Sequence, residues 1–297
     1  MFQKTIRKLS VSWQEKYLQS MDQLAEDDKQ FHDVESMWDV PFESQDGTAL
    51  AMNLFRPKRA SPPSFPVVIM VHGGGFLMGD RRMETGICRH FAQAGFLSSS
   101  IEYRVFPEAD IRSVVLDLAG GMEEIARIAS DYGGDPDRVY LVAESAGVFA
   151  SLYAVGMTRS DLIAKAFGGR NPGLHIRAMA ALSGLFYVRR KDLIGLAMTD
   201  NVIPKDSSGA EFARLMNAES DEVVDCLPPM ILVSSKGDFL KKDTLRYADC
   251  LKKHEKEHRL VYHDQAKHLG HAFASLTPEL PESIAADQMI ARWFFEY

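Results

Sequence analysis

The sequence predicts an α/β fold, a mostly parallel central sheet flanked by helices, and two observations predict it. Val67-Val68-Ile69-Met70-Val71 is an unbroken apolar run rich in β-branched residues. Such a run suits a strand covered on both faces, as the central strands of a parallel sheet are. From there onward strand-like and helix-like stretches alternate, the order in which crossover helices join neighbouring parallel strands.

The elements follow in order. Asp46-Gly47 marks a hairpin-like turn, and a strand over Leu50–Phe55 follows it. Arg56–Pro66 holds four prolines and three basic residues and reads as an exposed connection. Beyond the apolar run, Phe96–Tyr103 reads as a strand. Ile111, Val114, Val115, Leu118, Met122, Ile125 and Ile128 recur as one face of a helix that stops at Gly133-Gly134. Val139–Ala143 is a strand and Ala146–Met157 a helix. Ala178–Leu182, Met230–Ser234 and Leu260–His263 are further strands, with a helix over Thr244–Lys253 between the last two. Arg189–Asp225 breaks the alternation and reads as an insertion above the sheet.

At the N-terminus, Phe2, Ile6, Leu9, Trp13, Tyr17, Met21 and Leu24 recur at helical spacing. Three readings compete: a helix docked over a core or site, a helix lying on a membrane surface, and a disordered arm. Mixed Lys, Asp and Glu on the polar face favour docking. Arg7, Lys8, Gln14, Glu15 and Lys16 leave no room for the apolar core of a targeting signal.

Composition excludes several functions. The 297 residues carry 34 Lys and Arg against 41 Asp and Glu, a formal charge of −7. That balance argues against a surface built for nucleic-acid phosphates or anionic lipid. The length accommodates one large domain or two small ones. No apolar stretch is long enough to span a bilayer. The three cysteines, Cys88, Cys226 and Cys250, lie far apart without a CxxC pair. A disulfide framework is not expected, and a reducing, cytoplasmic setting is.

The chemistry gathers at two points. In Val139-Tyr-Leu-Val-Ala143-Glu144-Ser145-Ala146-Gly147 a strand runs straight into a helix with a serine at the turn between small residues. A nucleophile elbow needs this context, although Ala143 replaces the first Gly of G-x-S-x-G. The competing reading is a helix-capping serine. His72-Gly73-Gly74-Gly75-Phe76 follows the buried run, and three glycines let backbone N–H groups turn into a site as oxyanion donors. A phosphate loop is disfavoured: no Gly-Lys-Ser/Thr follows, and Gly73, Gly75 and Gly79 miss the G-x-G-x-x-G spacing.

His72-Gly-Gly-Gly-Phe76, Tyr103-Arg-Val-Phe-Pro-Glu108, Gly133-Gly-Asp-Pro-Asp-Arg138 and Ala143-Glu-Ser-Ala-Gly147 occur in that order. This series resembles the hormone-sensitive-lipase-like (HGGG) carboxylesterases of the α/β-hydrolase fold, over about residue 45 to the C-terminus. The resemblance implies a single α/β-hydrolase domain with a helical cap drawn from about residues 1–40 and 187–225. It implies a Ser…Asp…His triad, with Ser145 as nucleophile. For the acid, Asp238 follows the Met230 strand directly, whereas Asp243 suits a helix cap or first turn. For the base, Gly270-His271-Ala272-Phe273 resembles the family's His-x-Phe segment, with His268 as the near alternative. Gly74, Gly75 and Ala146 are the implied oxyanion donors, and His72 is expected to brace the glycine loop. Glu144 stands where the family usually has Asp, and Phe106 where it has a small residue.

His254-Glu255-Lys256-Glu257-His258 matches the zinc-protease pattern H-E-x-x-H, but it is charged at nearly every position and reads as a solvated helix end. No metal or organic cofactor is expected. The function implied is a serine carboxylesterase acting on small to medium acyl esters through an acyl-enzyme. The alternatives are an amidase or deacylase with the same triad, and a silent member that binds a small ligand. The expected partner is a small acyl ester, not nucleic acid; the resemblance also implies pairing of two copies through a late edge strand and helix. Trp13, Trp38, Phe76, Phe149 and Phe186 are candidates for apolar pocket walls, with plain core packing as the rival use.

Overall fold

The computed structural model describes residues 31–58, 64–190, 195, 203–204 and 210–297. The expected N-terminal helix, residues 2–24, lies outside them. The strands are β1 Val34–Glu43, β2 Ala49–Pro57, β3 Phe65–Val71, β4 Leu97–Ile101, β5 Gly134–Glu144, β6 Ile176–Leu182, β7 Met230–Ser235 and β8 His258–His263. They form one eight-stranded sheet in the order β1-β2-β4-β3-β5-β6-β7-β8. β1 and β2 pair antiparallel, as do β2 and β4, and every pairing from β4 through β8 is parallel.

β1 corrects the expected N-terminal cap, because residues 34–40 belong to the sheet. Its signal is hard to read from sequence. The register slips between Met37 and Val40, Asp39 sits at φ 58°, and Pro41 interrupts the run. Such a bulge breaks the two-residue alternation that identifies a strand, and edge strands commonly carry one. The Asp46-Gly47 turn is as expected, with Ser44 and Thr48 closing the hairpin through Ser44 N–H to Thr48 O at 2.9 Å.

Alternate residues of the central strands face opposite layers. Val67, Ile69, Val71, Leu141 and Ala143 join the core under the helices α2 Ile111–Ile128 and α3 Ala146–Met157. Val68, Met70, Tyr140 and Val142 join the core under α1 Thr85–Gln93 and α9 Pro281–Phe294. The sheet is thus covered on both sides, which is why β3 is buried along its whole length. The helices between are α4 Asp161–Phe167, α5 Ala210–Leu215, α6 Asp221–Val224, α7 Lys241–Lys253 and α8 Phe273–Leu276. α2 begins at Asp110, whose carboxylate accepts the N–H groups of Arg112 and Ser113. Past a short 3₁₀ turn, the chain leaves this helical stretch at Gly133 in the left-handed region, φ 82°.

The insertion over Arg189–Asp225 contributes α5 and α6. Among the described residues no helix is long and apolar enough to cross a membrane. The parallel strands set up the site: β3, β5 and β7 all end at the same edge of the sheet. The loops leaving them, and the loop after β8, therefore converge there.

Candidate active site

Ser145 sits between β5 and α3 with φ 49° and ψ −116°. A side chain in that region costs about 1–3 kcal/mol and persists only where its surroundings over-determine it. Here Ser145 N–H donates to Leu182 O at 2.9 Å, and Leu185 N–H donates to Ser145 O at 2.9 Å. The elbow also needs a close approach of α3 to β3. A Cβ on Gly147 would lie 2.3 Å from His72 O and 2.7 Å from Val71 O, both backbone atoms. Ala143, the departure from the elbow pattern, is fully buried in β5 between Val71 and Ala181, so its methyl fits. The Ser145 hydroxyl makes no capping bond to the helix.

That hydroxyl donates instead to His271 Nε2 at 2.8 Å, across 126 residues of chain. On the far side of the ring, His271 Nδ1 donates to Asp238 Oδ1 at 2.7 Å. Asp238 is fully buried. Its carboxyl also accepts the Ser234 hydroxyl at 2.7 Å and Leu240 N–H at 2.8 Å. Burial alone would raise its pKa, but the His271 contact and these two hydrogen bonds outweigh it and hold the carboxyl below its usual value. An ionised Asp238 keeps the ring proton on Nδ1 and leaves the Nε2 lone pair toward Ser145.

Neither alternative residue joins this line. Asp243 lies in the first turn of α7 and pairs with Arg190 at 2.7 Å. His268, its side chain 67% exposed, faces Glu282 at 3.3 Å. The structure thus brings together Ser145, Asp238 and His271.

The glycine loop lies beside Ser145. Gly74 and Gly75 adopt φ 92° and 64°, a region that side chains disfavour. Gly74 O accepts Leu77 N–H and Met78 N–H, while the N–H groups of Gly74 and Gly75 are spent on no acceptor among the described residues. Ala146 opens α3, so its N–H also precedes the intrahelical bonds. His72 is buried and stacked on Tyr103, ring centroids 3.9 Å apart and 6° from parallel. It donates from Nδ1 to Gly73 O at 3.0 Å. The Tyr103 hydroxyl lies 2.8 Å from both His72 O and Gly73 O. Burial pushes the His72 pKa down to about 4, so the ring is neutral at neutral pH. Phe106 N–H donates to Phe76 O at 2.7 Å and ties the next loop to this one.

Sequence reading missed three neighbours. Ser234 supports Asp238. Ser183, at φ 48° beyond the end of β6, accepts Ala272 N–H at 2.9 Å and holds the histidine loop. Phe239 lies over His271. Their signal was adjacency: Phe239 follows Asp238, and the two serines sit at or just beyond carboxyl ends of strands. Of the expected wall residues, Phe76, Phe149 and Phe186 are buried in the core, Trp38 is 43% exposed on β1, and Trp13 lies outside the described residues.

His254 caps α7 and His258 opens β8, so the H-E-x-x-H histidines do not share one helix face. Among the described residues no group of three or more His, Cys, Asp or Glu is placed to hold a metal. The three cysteines are unpaired.

The sequence model for the alpha/beta hydrolase fold matches residues 68–274. A probable isoprenylcysteine alpha-carbonyl methylesterase from Arabidopsis thaliana is 33% identical over 96 residues, 32% of this chain and 20% of that protein. The isoprenylcysteine alpha-carbonyl methylesterase of the same plant is 31% identical over 59% of this chain and 43% of its own length. The matched stretch thus spans less than half of either relative. Among solved structures, esterase B from Lactobacillus rhamnosis superimposes with a TM-score of 0.79 at 22% identity, covering 98% of this chain and 95% of the other. A hyperthermophilic esterase from Pyrobaculum calidifontis gives 0.72 at 19% identity, covering 96% and 92%. At such identities the structural likeness speaks for the fold.

Proposed function

The chain belongs to the alpha/beta hydrolase family, and from that premise we propose that it is a serine carboxylesterase acting on small to medium acyl esters. The observation that carries this reading is the line Ser145–His271–Asp238, with contacts of 2.8 and 2.7 Å. The names of the relatives, methylesterases and esterases, favour an ester over an amide.

His271 Nε2 takes the Ser145 proton as Oγ attacks the ester carbonyl carbon. The carbonyl oxygen becomes an oxyanion facing the N–H groups of Gly74, Gly75 and Ala146. Asp238 holds the imidazole tautomer and offsets the charge of the imidazolium. His271 then protonates the departing alcohol, leaving an acyl-Ser145. Water, deprotonated by the same nitrogen, attacks the acyl carbon; the carboxylic acid leaves and Ser145 recovers its proton. His72 positions the glycine loop and takes no part in proton transfer. The described part of residues 187–225, with Arg190 against the start of α7, serves as the cap that limits water and acyl length.

Replacing Ser145 with Ala lowers turnover by about 10⁴-fold or more, because members of such a triad act as a unit. An organophosphonate labels Ser145 in the folded protein. Near wild-type ester hydrolysis by the alanine variant, or no labelling, defeats the reading. A matched ester and amide pair separates an esterase from an amidase.

A further inference from the structure

We propose that Glu84 and Glu144 form a buried acid pair sharing a proton, that this pair positions the nucleophile and histidine loops, and that loss of the proton ends activity at alkaline pH. The activity half of this proposal rests on the esterase reading above.

Glu84 is fully buried and Glu144 is 2% exposed. Among the described residues no cation pairs with either. Glu144 directly precedes Ser145, and its Oε2 accepts the Ser275 hydroxyl at 2.8 Å. Ser275 lies four residues beyond His271. The other oxygen, Oε1, occupies the space that a side chain at Gly73 would need: a Cβ there would lie 2.3 Å away. One carboxyl therefore touches the glycine loop, the elbow and the histidine loop together. Glu84 ends a 3₁₀ turn, Arg81–Glu84, with its carboxyl as the hydrogen-bonding neighbour of Glu144, and among the described residues no other donor meets either Glu84 oxygen.

Two carboxylates facing each other away from water cannot both stay ionised. Burial first, then the Glu144 charge, raises Glu84 well above the ordinary range. Burial raises Glu144 too, although Ser275 and His271 work against it. Glu144 has the Ser275 hydroxyl as a donor and, among the described residues, Glu84 has none, so the charge rests on Glu144 and the proton on Glu84. The other groups around the pair sharpen this division. Asp287 on α9 adds negative charge near Glu84, and the Cys88 thiol and Tyr103 hydroxyl are neutral neighbours. Arg89, the buried cation on α1, lies over the Phe31 ring at 5.4 Å. The charges of Asp238 and His271 act on Glu144, and His271 is the member able to become positive. Ionised Glu144 thus favours the imidazolium formed during proton transfer. Once Glu84 also ionises, two anions repel behind Ser145, and both the glycine loop and the histidine loop lose their common anchor.

Glu84→Gln keeps a donor toward Glu144 and removes the titration. In the wild type, kcat/KM falls by about tenfold per pH unit beyond its alkaline limit, and in Glu84→Gln the fall moves up by at least about one pH unit. Thermal unfolding reads the same proton without catalysis. The folded wild type retains a proton that the unfolded chain releases above about pH 4.3, so its Tm drops relative to Glu84→Gln as pH rises. Superimposable activity and Tm profiles for the two proteins, or a wild type level to about pH 10, overturn the proposal. If Glu84→Gln does not fold, a protonated-carboxyl infrared band in the wild type at about pH 8 supports the pair, and its absence overturns it. A Tm difference in protein that hydrolyses no ester defeats the esterase reading and leaves the acid pair standing.

Discussion

The ring of Phe239 lies 4.1 Å from the imidazole of His271, tilted by 34°, and Phe239 remains 64% exposed. An exposed aromatic residue over the proposed base has two effects. It shields one face of the imidazole from water, and it offers an apolar surface beside the reacting serine. Phe239→Ala keeps the hydrogen bonds of the triad and removes this surface. The expected result is a fall of about tenfold in kcat/KM for apolar acyl esters, borne mainly by KM. Steady-state kinetics with a short acyl series checks it; unchanged kcat/KM would assign Phe239 no part in binding.

Gly147 and Ala143 flank Ser145 but stand under different constraints. At Gly147 an added Cβ meets backbone oxygen at 2.3 Å, so Gly147→Ala must push α3 away from β3 and misalign Oγ. A drop in turnover of about 10²-fold is expected, since small misplacements of reacting groups are costly. Ala143→Gly should keep turnover within a few-fold and lose about 1 kcal/mol of stability. Parallel kinetics and urea unfolding separate the two; equal effects would refute the steric account.

His72 gives the fold a pH dependence of its own. In the unfolded chain its pKa is about 6.5, and burial pushes it down to about 4 in the folded protein. Above about pH 6.5 both states are neutral and the residue's contribution is intact. As pH falls toward 4.5, the unfolded chain binds a proton that the folded chain refuses, so stability is lost. The wild type should lose about 2–3 kcal/mol more than His72→Gln between pH 7 and pH 4.5. Denaturant titrations of both proteins at the two pH values test this, and parallel losses would contradict it.

Much of this architecture was legible in the chain. The all-apolar run at Val67–Val71 had to be covered on both faces, and it became the fully buried β3. The Ile111–Ile128 periodicity and the Gly133 stop reproduce α2 and the left-handed residue after it. Ser145, Asp238 and His271, the proposed triad, were singled out because the ordered motifs resemble a family in which the three occur in that order. β1 was not legible, because a bulge and a proline spoil its alternation.

Local pattern thus determined which residues end at the carboxyl edge of the sheet, since strand and helix periods depend only on neighbours in sequence. Tertiary structure alone decided which of them meet. Asp238 rather than Asp243, and His271 rather than His268, join the line to Ser145 because the loops after β7 and β8 meet, closing contacts between Asp238 and His271 across 33 residues and between Ser145 and His271 across 126. The pairing of Glu84 with Glu144 belongs to the same class. Two acids 60 positions apart become one proton-sharing unit only when packing removes the water between them.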